Sequence, residues 1–184
     1  MSQAFQEHKK ELFHVYNVEN KYAQTAENAN LNIVDFSRFG CDHCMNLHPV
    51  LKKAINKDGK IRYMPRLVTF GKVWDETLAT AVYAAAEQGK FIEMQEVIYK
   101  KWPVKSRKDL LNYANGIGLN IEKLTEDMND PEIIDRMRED QKYFEAWSFS
   151  RTPTILVGET RGLSPAGKTP TVDELLEAFE RARE

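Results

Sequence analysis

The chain is 184 residues long, 42% apolar and 29% charged, with a formal charge of −2. That length fits one domain, or one domain carrying an insertion, and it buries a core without covalent staples. The near-neutral balance argues against a nucleic-acid or anionic-membrane surface as the main partner, and no apolar run approaches the roughly 18–20 residues of a membrane span.

The opening stretch MSQAFQEHKKELF has no apolar segment of the signal-peptide kind. Two readings follow: a cytosolic protein, or the mature form of an exported one. Phe5, Leu12 and Phe13 among charges suggest a short leader helix or arm over residues 1–13. Residues 14–18, HVYNV, read as an edge strand, and AENANLN as a polar turn. Ile33-Val34-Asp35-Phe36-Ser37 is short, rich in β-formers and followed by Phe39-Gly40, which predicts a buried strand. A helix is expected over 42–56, then a turn at Asp58-Gly59 and a second strand within 60–70.

After Gly71 the pattern turns helical. Residues 75–88 are alanine-rich, and Phe91, Met94, Val97 and Ile98 recur at helical spacing over 90–101. Lys100, Lys101, Lys105, Arg107 and Lys108 cluster nearby and read as a solvated helix end and loop. Ser106 with Asp109 resembles a capping box, residues 121–129 carry Ile121, Leu124 and Met128, and Asp130-Pro131 is an N-cap followed by proline at the first helical position. The last helix of this block should reach about Trp147 and bury Ile133, Ile134, Met137 and Phe144. Strand character returns at Thr154–Val157, the turn-rich stretch 158–167 has room for one short strand, and Thr171 with Glu174 caps a final helix. The order is β-α-β, a helical block, then β-(β)-α. An α/β fold with helices inserted between two halves of one small sheet fits this order better than two consecutive domains.

Both cysteines of the chain lie in FGCDHCMNLHP, spaced C-x-x-C. Two are too few for a disulfide framework or a four-cysteine zinc site, and a bridge closing so short a loop would constrain the unfolded chain little. A reactive pair is the better reading. With Cys41 at the strand–helix junction, unpaired N–H groups and the positive end of the helix dipole face its sulfur. Its pKa should fall well below the free value of about 8.5. Cys44, one turn on, is the shielded resolving thiol, and Cys41 the accessible nucleophile. His43 stabilises a thiolate if it is protonated or donates, and Asp42 opposes it. A metal reading would use Cys41, Cys44, His43 and His48, with a further ligand from His8, His14 or an acid elsewhere.

Several features in order resemble the DsbA family of thioredoxin-fold thiol–disulfide oxidoreductases: NIVDFSRFGCDHC, the helical block, RTPTILVG and the tail GLSPAGKTPTVDELLEAF, spanning roughly residues 30–184. The resemblance implies a thioredoxin-like domain over 14–72 and 148–184, interrupted by an inserted α-helical domain over 73–147. It implies that Asp35 is a buried acid beneath the cysteines, able to take the proton of the resolving thiol. Pro49 stands where thioredoxins kink the active-site helix. Thr152-Pro153 stands where the superfamily has a cis-proline against the disulfide, whose preceding residue pairs with an extended substrate strand; no other proline is given such a reading. Two departures are visible. The dipeptide is Asp42-His43, where strongly oxidising members commonly have Pro-His, and Thr152 replaces valine, as it does in isomerase and reductase relatives.

The implied activity is disulfide formation in exported, cysteine-containing polypeptides outside the cytoplasmic membrane. The redox group would be the Cys41–Cys44 pair itself, with no external cofactor and no metal. A DsbB-like membrane oxidase or a reductase is the implied redox partner. Isomerase or reductase activity, and a non-enzymatic metal-binding module on the same fold, are the alternatives. An isomerase would usually require a dimer, for which residues 1–13 are a candidate element.

Overall fold

The computed structural model describes residues 15–158 and 168–184. Four strands form one mixed sheet: β1 (Gln24–Thr25), β2 (Leu31–Ser37), β3 (Ile61–Leu67) and β4 (Thr154–Val157), in the order β1-β3-β2-β4. β2 runs parallel to β3 and antiparallel to β4. Covered on both faces, β2 buries every residue but Asn32, which is why its sequence is a nearly unbroken apolar run. β3 accepts Pro65 because beyond Tyr63 its outer side has no strand partner among the described residues.

Between β2 and β3 lies α1 (Asp42–Asp58), longer than the predicted 42–56. It continues through Pro49 and ends on Gly59, whose φ of 72° supplies the left-handed cap. Its stripe of Cys44, Leu47, His48, Leu51, Ala54 and Ile55 is buried at helical spacing. Between β3 and β4 come α2 (Val73–Ala85), α3 (Phe91–Lys100), α4 (Arg107–Gly116), α5 (Ile121–Asp127) and α6 (Pro131–Ala146), and α7 (Val172–Arg181) closes the chain. The expected caps are formed. Ser106 Oγ accepts from Asp109 N–H, Asp130 precedes Pro131 at N1, and the Thr171–Glu174 box is reciprocal. Ile134 is half-buried rather than inward, and the five basic residues between Lys100 and Lys108 are exposed. The leader over residues 1–13 and the short strand expected within 158–167 fall almost wholly outside the described residues.

Strand parity divides the core. Leu31, Ile33, Ile61 and Tyr63 face α1 and α7, packing with Leu47, Leu51, Leu175 and Phe179. Val34, Phe36 and Met64 face Phe144 and Trp147 at the end of α6. The helices between β3 and β4 have their own apolar centre around Leu78, Tyr83, Phe91, Ile98, Leu110 and Leu124. On the α6 side, Arg66 and Asp140 are fully buried. Arg66 Nε lies 3.5 Å from Asp140 Oδ1, and Asp140 Oδ2 accepts the Leu67 N–H at 2.9 Å and the Tyr83 hydroxyl. Arg136 adds a second guanidinium 3.5 Å from the same carboxylate.

The edge strand forms at Gln24–Thr25, and residues 15–18, the described part of the segment expected to form it, are not in a strand. Among the described part of that segment, the Tyr16 and Val18 carbonyls accept from Arg62 at 2.7 and 2.6 Å, and the Val15 carbonyl accepts from Arg66 at 2.7 Å. Arginine side chains thus take the acceptors that a strand ladder would have used. β3 also stops before the predicted end at 70. Phe70 takes a φ of 50°, and Gln141 Oε1 accepts the N–H groups of Thr69 and Phe70.

Candidate active site

Topology brings three loops to one end of the sheet. β2 and β3 are parallel, so the segments that follow them emerge together, and β4 is antiparallel, so the segment preceding it arrives at the same end. These segments carry Gly40-Cys41, Phe70–Val73 and Thr152-Pro153. Phe70 and Val73, 44% and 82% exposed, are the exposed large hydrophobics of the described residues. The Arg38 guanidinium lies 5.8 Å from the Phe70 ring and 3.5 Å from Asp75 Oδ2.

Cys41 is the N-cap of α1. Its sulfur accepts the Cys44 N–H at 3.3 Å and the Cys44 S–H at 2.7 Å. Gly40 before it has a φ of 72°, and a Cβ there would stand 2.4 Å from Trp102 Cζ2. The helix therefore starts here for two reasons: the left-handed turn needs glycine, and the Trp102 ring occupies the space that a side chain would take. The expectation that Cys41 is exposed is corrected. It keeps 8% of its surface against 2% for Cys44, with the Thr152 carbonyl and hydroxyl lying against its sulfur.

The Thr152–Pro153 peptide is cis. The Thr152 hydroxyl lies 3.5 Å from Cys41 Sγ as a donor to the thiolate, and the protonated thiol donates to the Thr152 carbonyl at 3.4 Å. Trp102–Pro103 is cis as well, which the sequence reading did not expect. The Cys44 S–H, the Thr152 hydroxyl, the Cys44 N–H and the Arg38 charge together bring the Cys41 thiol down to about 5 against the opposing effect of burial. Donating to Cys41, and more deeply buried, Cys44 is pushed far up. One sulfur is held as the anion and the other as its proton-bearing partner.

Beneath the pair, parity puts Asp35 on the face covered by α1. It is 2% exposed, and burial raises its carboxyl to about 6 while Tyr63, donating to Oδ2 at 2.9 Å, partly holds it down. Asp35, Cys41, Cys44, Thr152 and Pro153 are thus brought together. His43 is exposed on the first turn of α1 and makes no hydrogen bond to either sulfur among the described residues. His48 is buried and stacked on Tyr99 at 4.1 Å, and burial lowers it to about 4. Among the described residues no three His, Cys, Asp or Glu side chains converge as a metal site; His8 and His14 lie outside them.

Sequence reasoning missed Tyr63, Gln95, Tyr99, Trp102 and Arg38. One signal was available for two of them: Gln95 and Tyr99 are polar positions one turn apart on the apolar face of α3, with Phe91, Met94 and Ile98.

A dithiol at a helix N-terminus, set against a cis-proline on a mixed sheet with inserted helices, defines a thioredoxin fold of the DsbA type. The family model described as thioredoxin matches residues 17–179, and the chain belongs to that family. The thiol-disulfide exchange protein alpha-DsbA2 of Wolbachia pipientis superposes with a TM-score of 0.81 at 16% identity, covering 98% of each chain. The catalytic domain of Proteus mirabilis ScsC gives 0.80 at 15% identity, covering 97% of each. These likenesses establish the fold. Among curated proteins, Na(+)/H(+) antiporter NhaA 3 of Salinispora tropica is 27% identical over 157 residues, 84% of this chain and 24% of that protein. The chain spans about a quarter of the length of the first curated relatives it matches. No described helix is long and apolar enough to cross a membrane.

Proposed function

We propose that the protein is a thiol–disulfide oxidoreductase acting on cysteine-containing polypeptides, and that it runs toward disulfide formation. The observation that carries this reading is the asymmetry of the pair: Cys41 held near 5 at the helix N-cap, Cys44 held up beneath it. A stabilised thiolate favours the reduced enzyme, so its disulfide is readily given away.

A substrate thiolate attacks Cys41 Sγ of the enzyme disulfide. The Cys41–Cys44 bond breaks, a mixed disulfide forms, and Cys44 leaves as a thiolate that takes a proton. A second substrate thiolate attacks the substrate sulfur of the mixed disulfide and expels Cys41 as its stable thiolate. The substrate dithiol loses two electrons and the enzyme disulfide gains them. Of the two substrate protons, one is balanced by protonated Cys44 and the other goes to solvent. Thr152 and Pro153 offer the extended substrate a backbone edge beside Cys41, and Phe70 and Val73 offer apolar surface at the same end of the sheet.

Asp35 serves as the proton partner of Cys44. His43, exposed and without a hydrogen bond to either sulfur among the described residues, would act on Cys41 only while protonated. No external cofactor takes part, because the electrons reside on the two sulfurs. A separate redox partner must reoxidise the dithiol, and an oxidising compartment outside the cytoplasmic membrane suits this direction.

The test is the reduction potential against glutathione, together with oxidative refolding of reduced ribonuclease. A potential nearer about −120 mV than about −270 mV is expected, with refolding abolished in Cys41→Ser. A potential near the lower value, or refolding that survives Cys41→Ser, rejects the reading.

A further inference from the structure

The inserted helices border the nucleophile through one loop, and that loop is strongly basic. Trp102, between α3 and α4, is the residue whose ring fills the space beside Gly40, one position before Cys41. Lys100 and Lys101 precede it, and Lys105, Arg107 and Lys108 follow. All five cations are exposed, as is Pro103, and Trp102 is half-buried. In a chain whose formal charge is −2, residues 100–109 hold five cations and a single acid. That acid, Asp109, is engaged locally by the Ser106 hydroxyl at 2.9 Å.

Among the described residues none of the five cations is in an ion pair, and the acids nearby are taken: Glu93 by Lys90 at 3.4 Å, Glu96 by Lys52 at 3.0 Å and Asp75 by Arg38 at 3.5 Å. Their mutual repulsion is left uncompensated. Two of them also oppose the local backbone. Arg107 and Lys108 occupy the first two positions of α4, where the helix dipole favours acids over cations. Lys100, in the last turn of α3, follows the dipole. A local rule broken without a compensating contact is expected at functional surfaces. The placement is close to the chemistry as well. A chain spans at most about 3.6 Å per residue, so the Cα atoms of Lys100, Lys101 and Lys105 lie within about 11 Å of that of Trp102, whose ring rests on Gly40. Asp42 and His43, exposed on the first turn of α1, are the other charged or titratable groups next to Cys41 in the chain.

We propose that residues 100–108 are a basic docking surface for substrate polypeptides that carry acidic side chains beside the reacting cysteine. This rests on the oxidoreductase reading and narrows its substrate class. Charge complementarity selects the occupant: five unpaired cations answer carboxylates, and Trp102 with Pro103 offers apolar contact to an extended chain. Single exposed ion pairs are weak, so the surface acts as a field that raises the rate of productive encounter. It acts on the attacking sulfur too. Acidic neighbours raise the pKa of a substrate cysteine and deplete its thiolate, and cations at the point of attack oppose that effect. The exchange itself is unchanged: the substrate dithiol becomes its disulfide as the Cys41–Cys44 disulfide becomes the dithiol.

The test uses three matched dithiol peptides whose cysteines are flanked by Glu, Gln or Lys, oxidised by the intact disulfide form at low and high salt. Rates are corrected for each peptide's own thiolate fraction. At about 20 mM salt, wild type should oxidise the Glu peptide at least about tenfold faster than the Gln peptide, and the Lys peptide more slowly than either. At about 500 mM salt the Glu-to-Gln ratio should fall below about twofold. The combined variant Lys101→Gln, Lys105→Gln, Arg107→Gln and Lys108→Gln should bring the low-salt ratio to about one, whereas Lys101→Arg with Lys105→Arg should keep it. Arg107→Gln and Lys108→Gln should also raise the melting temperature by relieving the helix dipole; residues kept for structure alone would lower it and leave the ratio in place. Equal wild-type rates for the Glu and Gln peptides overturn the inference, as does a ratio that survives the combined variant or high salt. Binding to phosphatidylglycerol vesicles that the combined variant abolishes, with no peptide preference in wild type, also overturns it and assigns the surface to an anionic membrane. If wild type oxidises no peptide faster than Cys41→Ser does, the oxidoreductase reading itself fails and takes this inference with it.

Discussion

At Cys41, four influences act on one sulfur, and their sum has a thermodynamic consequence for the whole chain. The folded thiol sits near 5, against about 8.5 in an unfolded chain. A depressed acid contributes stability that is fully present above the unfolded value and is lost as pH falls through the folded one. The oxidised protein has no such thiol. The reduced form should therefore lose melting temperature relative to the oxidised form as pH falls from about 8.5 to about 4.5; scanning calorimetry of both forms measures the gap, and a gap that stays constant with pH contradicts the thiolate. Asp35 acts with the opposite sign. Its carboxyl is raised, so the folded state is favoured below the unfolded pKa, and that advantage disappears as pH rises through about 6. At this scale the cysteines were legible from spacing, and Asp35 and Pro153 from their place relative to Cys41. Tyr63, Gln95 and Tyr99 were not, because their contacts join positions remote in sequence, and no local pattern records which phenol lies under which carboxylate.

Among the elements, α1 shows how a backbone turn and a distant ring together place a reactive atom. Gly40 combines a left-handed φ with the Trp102 ring against its Cα, so that the helix must begin at Cys41. Gly40→Ala should lower stability by about 1–3 kcal/mol and slow exchange at Cys41, as read from urea midpoints and dithiothreitol reduction rates. Wild-type values in both would show that Trp102 does not hold this turn. The starts of three helices were readable, because Ser106, Asp130 and Thr171 satisfy orphan N–H groups through local bonds. The edge strand was misplaced for the converse reason. HVYNV has the composition of a strand, but the carbonyls of Val15, Tyr16 and Val18 are taken by Arg62 and Arg66, and nothing within the segment announces that. The short end of β3 depends likewise on Gln141, contributed by α6.

Over the whole molecule, the inserted helices are joined to the sheet through the buried Arg66–Asp140 pair, with Tyr83 and Arg136 on the same carboxylate. Burial pushes the Asp140 carboxyl up despite the two guanidiniums. Such a pair is weak evidence of net stability, but breaking it leaves a charge stranded in the interior. Asp140→Ala should cost about 3–5 kcal/mol in denaturant unfolding, and a loss below about 1 kcal/mol would show that the guanidiniums find other partners. The order of elements and the inserted helical block were visible in the periodicity of the chain, whereas this ionic joint was not, since Arg66 and Asp140 read as ordinary charges on a strand and a helix. The alternation of β3 ties the two halves of the story together. Its odd positions put the Tyr63 phenol on the Asp35 carboxylate, on the α1 side, and its even positions put Arg66 into the ionic joint on the opposite side. Slippage of that one strand by a single residue would exchange the two, turning a permanent cation toward the side of the thiols and leaving the Asp140 carboxylate with Arg136 as its remaining guanidinium. Correct strand alignment during folding thus decides the electrical environment in which the cysteines come to rest.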